Sequence, residues 1–400
     1  MKILQLCSRV PYPPNDGGSI AMLALSQSLK AEGNEIFILS INTNKHHYDL
    51  KNLPNEMLAL AKWDAVDVNT DVKPLDAFLN LFTDKSYNII RFHSRDFENK
   101  LIELLQREQF DIIQMESLYV TTYCDLIRKY SKAKIVYRAH NVEYLIWERM
   151  AMGMQSGLKK RYIKLLAKRL KNYEISVLKK FDAIVFITPE DKELYHQLGN
   201  ASKEFVAPIG INPKEFELQE NSNHYPVLFH LGSMNWLPNI EAIDWFIDNV
   251  WKKLQEKYPA LKFYIAGRGM PERLLKRTVF GLYVDNEIPD AKVWMNEKDI
   301  MIVPLLSGSG MRVKIIEGMA LGKTVIATSI GAEGIAYTHK ENILIANSPD
   351  EFVSMVELCV NDKKMCKNIG RNAKELVQEK YNNKEIGVGL HSFYQSLIKD

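Results

Sequence analysis

The sequence predicts an α/β protein built from two doubly wound parallel sheets, one in each half of the chain. Short apolar runs that suit buried strands alternate with segments of helical apolar spacing along nearly the whole length. The length of 400 residues is enough for two domains with separate cores. The apolar fraction of 46% and the charged fraction of 25% are typical of globular domains.

Charge and cysteine content narrow the class of protein. A net charge of +3 is too small to indicate a nucleic-acid partner. The four cysteines form neither a CxxC pair nor a metal-ligand spacing, which suits free thiols and predicts a cytoplasmic protein. No apolar run reaches the roughly 18 residues of a membrane span, and the N-terminus does not read as a signal peptide.

The chain opens with a predicted strand at Ile3–Cys7, a helix at Ser19–Leu29 capped by its first residue, and a strand at Glu35–Ser40. Gly17 and Gly18 stand at the turn from strand to helix, where doubly wound sheets bind ligands. The pattern is not GxGxxG, so it does not predict a dinucleotide site. A plain tight turn remains the other interpretation.

The rest of the first domain is less regular. Residues 45–110 are expected to be mostly helical, with a break at Pro54. His140 follows a predicted strand and therefore lies at the carboxyl edge of the sheet, as Glu116 does. His140 is either part of a binding cleft or a structural histidine. The predicted strands here are 110–115, 133–138, 181–188 and 206–209.

A long helix is predicted at 157–180, and its charge is strongly one-sided. It carries nine Lys or Arg residues and a single acid, Glu174. One interpretation is a helix packed on its sheet with a solvated basic face. The other is a transient contact with an anionic membrane surface, which would make the protein peripheral to the inner membrane face.

The polar stretch 213–226 has no periodicity and predicts the linker between two domains. The first domain is expected to span 1–212 and the second 213–383, with a final helix at 384–400 joining the first. The predicted strands of the second domain are 227–231, 261–266, 281–285, 301–303, 324–327 and 342–346.

The stretch Pro304–Gly334 carries the strongest signal of chemistry. A glycine-rich loop at Ser307–Gly310 links a strand to a helix, a geometry that offers backbone N–H groups to a phosphate. Arg312 and Lys314 stand at the start of that helix, and Glu317 lies on the same face as Lys314. A cation for phosphate beside a carboxylate for sugar hydroxyls predicts a nucleotide diphosphate ligand.

Four segments then carry a resemblance along the chain: SRVPYPPNDGG, AHNVE, HLGSMNWLPNIEAIDWF and PLLSGSGMRVKIIEGMALGKTVIATSIGAEGI. The chain resembles the GT-B glycosyltransferases of the retaining family 4, the glycosyl transferases group 1 type. The resemblance implies two facing Rossmann-like domains, with a nucleotide-sugar donor held mainly by the second and the acceptor in the first. The fourth segment is the most specific of the four.

The resemblance also implies roles for individual residues. Glu317 matches the carboxylate that binds the donor ribose, Val284 lies where base contacts fall, and His140 matches a histidine near the transferred sugar. Arg312 and Lys314 are expected to neutralise the leaving diphosphate, which makes them catalytic together with His140. The donor-binding residues implied are Gly17, Gly18, Gly232, Ser233, Val284, Gly308, Ser309, Gly310, Met311 and Glu317.

The sequence departs from the family pattern at three positions. Ser309 stands where a glutamate is common, and Ser233 and Pro238 stand where an arginine and a lysine are common. We expect Arg312 and Lys314 to substitute for the missing cations. The losses leave open a non-catalytic GT-B subunit that partners another transferase. A nucleotide-sugar epimerase has no supporting motif.

The expected activity is retaining transfer of a hexose from a nucleotide-diphosphate sugar to a glycan, lipid-linked or protein-linked acceptor in cell-surface polysaccharide synthesis. No DxD cluster suited to a divalent metal is present, so a metal-independent enzyme without a cofactor is predicted.

Overall fold

The computed structural model describes residues 1–218, 225–308 and 310–399, and the chain divides into two compact units. Unit 1 comprises Met1–Ile209 and Asn383–Asp400, and unit 2 comprises Gly210–Asn382. Each unit contains one parallel sheet with helices packed on it, so the predicted α/β class with two doubly wound sheets is confirmed.

Unit 1 has a seven-stranded parallel sheet in the order β3-β2-β1-β4-β5-β6-β7. The strand order reverses between β1 and β4, so the loops after these two strands border a crevice at the carboxyl edge. The strands are β1 Lys2–Cys7, β2 Glu35–Thr43, β3 Lys62–Val68, β4 Ile112–Met115, β5 Lys134–Ala139, β6 Ala183–Phe186 and β7 Lys203–Val206.

Helices cover both faces of this sheet, and successive residues of β1 show why. Leu4 and Leu6 enter one apolar core, whereas Ile3 and Cys7 enter the core on the opposite face. The helices are α1 Gly17–Ala31, α2 Asn55–Leu60, α3 Pro74–Asn80, α4 Tyr87–Ile90, α5 Arg95–Arg107, α6 Cys124–Tyr130, α7 Glu143–Met152, α8 Leu158–Val177, α9 Pro189–Gln197 and, at the end of the chain, α17 Asn383–Lys399.

In unit 1, two elements were not predicted and one predicted strand was misplaced. Residues 45–110 contain the four helices α2 to α5, but Lys62–Val68 also forms the edge strand β3, whose half-buried residues give no continuous apolar run. The helix α7, Glu143–Met152, was not predicted. The last strand is Lys203–Val206 rather than 206–209.

Unit 2 has a six-stranded parallel sheet in the order β10-β9-β8-β11-β12-β13. Here the order reverses between β8 and β11, so the loops after these strands border the crevice. The elements are β8 Val227–Leu231, α10 Leu237–Phe246, α11 Lys252–Lys257, β9 Lys262–Ala266, α12 Glu272–Leu275, β10 Leu282–Asp285, α13 Ala291–Asn296, β11 Ile300–Val303, α14 Val313–Ala320, β12 Thr324–Ala327, β13 Leu344–Ile345, α15 Pro349–Asn361 and α16 Lys363–Lys380.

The described part of the predicted linker 213–226 belongs to unit 2. Phe216 is buried, and the Lys292 ammonium lies 4.7 Å from the centre of its ring. The chain passes from unit 1 to unit 2 at Ile209 and Gly210, before that polar stretch begins. Residues 219–224 lie outside the described residues.

Candidate active site

The loop between β11 and α14 requires its glycines. Gly308 has a φ of +119° and Gly310 a φ of +82°, values that residues with a Cβ rarely adopt. A Cβ at Gly308 would also lie 2.8 Å from Nη2 of Arg312. Met311 is buried, and Ser309 lies outside the described residues. The two glycines therefore allow a tight change of chain direction in which Gly308 lies close against Arg312 and Trp236.

Arg312 stands at the N-cap of α14, before the first helical turn. Its guanidinium donates a hydrogen bond to the carbonyl of Gly310 and lies 5.3 Å from the ring of Trp236. The residue is buried. Arg312 therefore places a positive charge at the helix N-terminus, and its hydrogen bond to Gly310 stabilises the glycine loop.

Lys314 lies next to Arg312 in a polar pocket that the sequence did not reveal. Its ammonium donates to Oδ1 of Asn239 at 3.0 Å and lies 3.4 Å from Nε2 of His230. Nδ1 of His230 donates to the carbonyl of Ile302 at 2.8 Å, which leaves a lone pair on Nε2 toward the ammonium.

The ammonium of Lys314 has no carboxylate partner in the described part of the chain. Burial, together with the charge of Arg312, lowers the pKa of Lys314 to about 7. Burial and the charge of Lys314 hold the pKa of His230 well below its usual value, so His230 is neutral. An anionic ligand beside Lys314 would therefore stabilise its charged form.

Glu317 lies one turn further along α14 and has different surroundings from Lys314. Burial raises its pKa to about 7, against the opposing charge of Lys292. Within residues 1–218, 225–308 and 310–399, no hydrogen bond reaches its carboxyl group. Lys292 itself pairs with Glu215. The carboxyl group is thus available to accept hydrogen bonds from a ligand.

The loop after β8 meets Lys314 directly. A Cβ at Gly232 would lie 2.9 Å from the Lys314 ammonium, and the carbonyl of Ser233 accepts a hydrogen bond from Asn239 Nδ2 at 2.8 Å. Gly232, Ser233 and Lys314 are therefore brought together, with Asn239 between them. Asn239 and His230 were missed, although a histidine inside the buried run of β8 was a usable signal.

Val284 lies within β10, inside the predicted strand 281–285. It pairs with Ile265, and its half-buried side chain packs against the unit 2 core. The strand runs one residue past it, to Asp285. Because β10 is the edge strand and two strands, β9 and β8, separate it from β11, the structure does not bring Val284 to the loop after β11.

In unit 1, Asp16 caps α1, and the expectation that Ser19 does so was wrong. The Asp16 carboxylate accepts from the backbone N–H groups of Gly18 at 3.0 Å and Ser19 at 3.1 Å. Gly17 and Gly18 form the first turn of the helix with ordinary negative φ. A Cβ at Gly18 would lie 2.6 Å from Nη2 of Arg9, which pairs with Asp16, so a larger residue there would have to displace the end of the arginine side chain.

His140 joins a buried ionic cluster at the carboxyl ends of β4 and β5. Its Nε2 donates to Oε2 of Glu116 at 2.8 Å, and Nη1 of Arg138 donates to the same oxygen at 3.3 Å. Burial lowers the pKa of His140 despite the neighbouring carboxylate, so the imidazole is neutral near pH 7. Its Nδ1 forms no hydrogen bond among the described residues.

The cluster continues behind Glu116. Nε2 of Gln114 donates to Oε1 of Glu116, and the Tyr394 hydroxyl on α17 donates to Oε1 of Gln114 at 2.5 Å. Glu116 and Gln114 are completely buried. Gln114, Arg138 and Tyr394 were missed, although polar residues inside the buried strands β4 and β5 marked the first two.

The described part of the chain contains neither a cluster of metal-ligating side chains nor a helix that could span a membrane. No three His, Cys, Asp or Glu side chains lie close enough together to hold a metal ion. None of its helices combines the length and apolar character that crossing a bilayer requires.

Comparison with known protein families accounts for both units. Residues 15–215 match the profile described as Glycosyltransferase Family 4, and residues 225–362 match that of Glycosyl transferases group 1. The chain belongs to glycosyltransferase family 4. This family 4 glycosyltransferase is 25% identical over 403 residues to an uncharacterized 44.6 kDa protein in the cps region of Klebsiella pneumoniae, covering 96% of the present chain and 97% of the relative.

Solved structures share the fold along the full chain. Sucrose-phosphate synthase from Thermosynechococcus elongatus superposes with a TM-score of 0.70 at 14% identity, covering 100% of both chains. Anabaena Alr3699/HepE in complex with UDP-glucose superposes with a TM-score of 0.67 at 12% identity, covering 99% of the present chain and 100% of HepE. The predicted GT-B fold is thereby confirmed.

Proposed function

We propose that the chain is a retaining, metal-independent glycosyltransferase that uses a nucleotide-diphosphate sugar and no cofactor. The observation that carries this proposal is the pair of cations at the N-terminus of α14, the buried Arg312 and the half-buried Lys314, with no carboxylate on Lys314 among the described residues. An ammonium withdrawn from water without a counter-ion is costly unless an anion completes the site. A diphosphate supplies that anion, and Glu317 is placed to accept hydrogen bonds from sugar hydroxyls.

The chemistry follows from these positions. The bond from the anomeric carbon to the diphosphate oxygen breaks while the acceptor oxygen bonds to the same carbon from the same face. The acceptor proton passes to the departing diphosphate oxygen. Lys314, Arg312 and the helix N-terminus stabilise the negative charge that grows on the diphosphate. Gly17, Gly18 and His140 remain predicted contacts of the donor.

Relatives support the substrate class. HepE was solved with UDP-glucose, which favours a uridine diphosphate sugar as the first donor to test. The Klebsiella relative lies in a cps region, which supports an acceptor in cell-surface glycan synthesis, either a glycan or a lipid-linked or protein-linked saccharide. We place the protein in the cytoplasm.

A panel of nucleotide sugars tests the proposal. Each donor is incubated with the full chain and a chelator, and released nucleoside diphosphate is measured with and without candidate acceptors. Slow donor hydrolysis or transfer with retained anomeric configuration is expected for at least one donor. If no donor is turned over and calorimetry detects no nucleotide binding, the enzyme proposal is refuted and a non-catalytic subunit is favoured.

The pH dependence of kcat/KM for the donor should be bell-shaped with both limbs near pH 7. Glu317, with a pKa of about 7, becomes protonated as the pH falls through that value, and its carboxyl group then accepts hydrogen bonds less well. Lys314, also with a pKa of about 7, loses its charge as the pH rises through it. Initial rates at low donor concentration across pH 5.5–8.5, a window of roughly 1.5 units each side of these values, measure the profile.

Substitutions at Glu317 and Lys314 show which residue causes each limb of the pH profile. Glu317→Gln should remove the acid limb, and Lys314→Arg should remove the alkaline limb. Glu317→Ala should raise the donor KM roughly 10- to 100-fold, the value of one or two hydrogen bonds to a charged group. Glu256→Ala, at an exposed carboxylate of the same unit, is the matched control. An unchanged profile in Glu317→Gln would refute the assignment.

A further inference from the structure

The ammonium of Lys314 is held by two neutral acceptors from another part of unit 2. One is Oδ1 of Asn239 at 3.0 Å, in the first turn of α10, and the other is Nε2 of His230 at 3.4 Å, in β8. An ammonium carries three N–H donors. Two of them are therefore directed by these acceptors, and the third has no acceptor in the described part of the chain.

The lone pair on Nε2 of His230 is fixed by the fold. The register of β8 on β11 ends at Phe229 and Met301, and at the next position the side chain of His230 takes over. Its Nδ1 lies 2.8 Å from the carbonyl of Ile302. Because a carbonyl only accepts, Nδ1 carries the proton and Nε2 bears the lone pair. His230 is completely buried, and burial holds its pKa well below the usual value, so this neutral tautomer persists near pH 7.

Asn239 is fixed as firmly as His230. Its Nδ2 donates to the carbonyl of Ser233 at 2.8 Å, which turns Oδ1 toward Lys314, and its backbone N–H donates to the carbonyl of Trp236 at 3.0 Å. Gly232 gives both partners room, since a Cβ there would lie 2.8 Å from Nδ2 of Asn239 and 2.9 Å from the ammonium. The two acceptors are therefore rigid on the scale of a hydrogen bond.

Neutral acceptors affect Lys314 differently from a carboxylate. Both kinds of group can orient an ammonium, but a carboxylate would also cancel its charge. An imidazole lone pair and an amide oxygen leave the positive charge available to a ligand. Arg312, at the N-cap of the same helix, adds a second positive charge. The arrangement therefore orients a cation while keeping it attractive to an anion.

We propose that His230 and Asn239 are positioning residues that direct the third N–H of Lys314 at the diphosphate of the donor without cancelling its charge. This inference rests on the proposed function, since it takes the diphosphate as the ligand of Lys314. Neither residue is assigned a contact with the donor, because both act through the ammonium.

A double-mutant cycle on nucleotide affinity tests the assignment. The probe is whichever of UDP, ADP and GDP binds the full chain most tightly by calorimetry. His230→Asn, whose amide can still donate to the Ile302 carbonyl but is too short to reach Lys314, should weaken binding about 10-fold. In the Lys314→Met background the same substitution should have no further effect, because no ammonium remains to be oriented. Additive losses would give His230 a structural role only and would overturn the proposal.

A longer amide at the same position provides a rescue. The side-chain oxygen of His230→Gln can reach the ammonium, so this variant should bind the nucleotide more tightly than His230→Asn. In donor kinetics His230→Asn should lower kcat by a larger factor than it raises KM, because charge on the diphosphate grows in the transition state. A loss confined to KM would contradict the proposed orientation of Lys314.

Asn239→Asp separates orientation from charge and remains informative if His230→Asn folds poorly. The carboxylate still accepts from Lys314, and the new ion pair offsets the lost bond to Ser233, so the melting temperature should change little. Nucleotide affinity should nevertheless fall about 10- to 100-fold, because the ammonium is then neutralised beside the diphosphate.

Asn342→Asp is the matched control for this substitution. Asn342 is also buried in unit 2, and its Oδ1 accepts from the backbone N–H of Thr338 at 2.8 Å. It precedes β13 and so lies at the edge of the sheet opposite the loop after β11. This variant should bind the nucleotide as the parent does.

The outcomes distinguish this inference from the proposed function. If the parent binds a nucleoside diphosphate and both His230→Asn and Asn239→Asp bind it equally well, the positioning roles are refuted and the proposed function stands. If Lys314→Met also binds as the parent does, the diphosphate does not use this ammonium, which refutes the inference too. If the parent binds none of the three nucleotides and turns over no donor, the proposed function fails and the inference fails with it.

Discussion

Replacing Lys314 by methionine is expected to lower kcat about 10²- to 10³-fold. The ammonium lies at the N-terminus of α14 beside Arg312, where negative charge would grow on a departing diphosphate. Removing one preorganised donor from a site of developing charge has effects of this size. The donor KM should change less, because the diphosphate carries more charge in the transition state than in the bound donor.

Stability distinguishes this loss from misfolding. Burial already disfavours the charged form of Lys314, so its removal should leave the melting temperature unchanged or raise it. Lys314→Arg keeps the charge and should retain more activity than Lys314→Met. Lys364→Met, at an exposed lysine of α16, is the matched control and should behave as the parent. A kcat that survives Lys314→Met would show that these cations do not replace the missing pair.

Replacing Glu116 by glutamine is expected to destabilise unit 1 by about 3–5 kcal/mol, which lowers its melting temperature on the order of 10 °C. Glu116 is the carboxylate between Arg138 and His140, and the side chain of Arg138 is only 1% exposed. Without Glu116 the guanidinium is a buried charge with no counter-ion. Differential scanning fluorimetry and urea unfolding measure the loss.

A double substitution tests this cause. Arg138→Met in the Glu116→Gln background removes the stranded charge and should recover most of the lost stability, since both ionic partners are then absent. Glu103→Gln, at an exposed carboxylate of unit 1, is the control. If Glu116→Gln alone were as stable as the parent, the pair would not be a charge compensation, and the fixed orientation of His140 would need another explanation.

Local signals were sufficient for the strands, helices and glycine loop around Pro304–Gly334. Within about thirty consecutive positions the sequence contains the apolar run of β11, the glycines of the following loop, which adopt positive φ, and the helical spacing of apolar residues in α14. Periodicity and turn chemistry therefore identify these elements. The same holds for the final helix, which was predicted at 384–400 and spans Asn383–Lys399.

Contacts between distant positions were not predictable in the same way. Lys314 meets His230 and Asn239 across separations of 84 and 75 residues, and no pattern within a window reports such a meeting. The edge strand β3 was not predicted, because only one of its seven residues is buried and its alternation of apolar and polar residues is therefore weak. The cap of α1 was misassigned because aspartate and serine three positions apart both suit the role, and their reciprocal bonds decide it.

The return of the last helix to unit 1 imposes an order on folding during synthesis. Gln114 in β4 can accept its hydrogen bond from the Tyr394 hydroxyl only after α17 has been synthesised. Leu390 and Leu397 of the same helix complete the apolar core beside β1. Unit 2 is one uninterrupted stretch, so it can close its sheet as soon as it leaves the ribosome. Unit 1, although its strands are made first, is therefore completed last, and a ribosome that stops short of α17 releases a folded unit 2 attached to an incomplete unit 1.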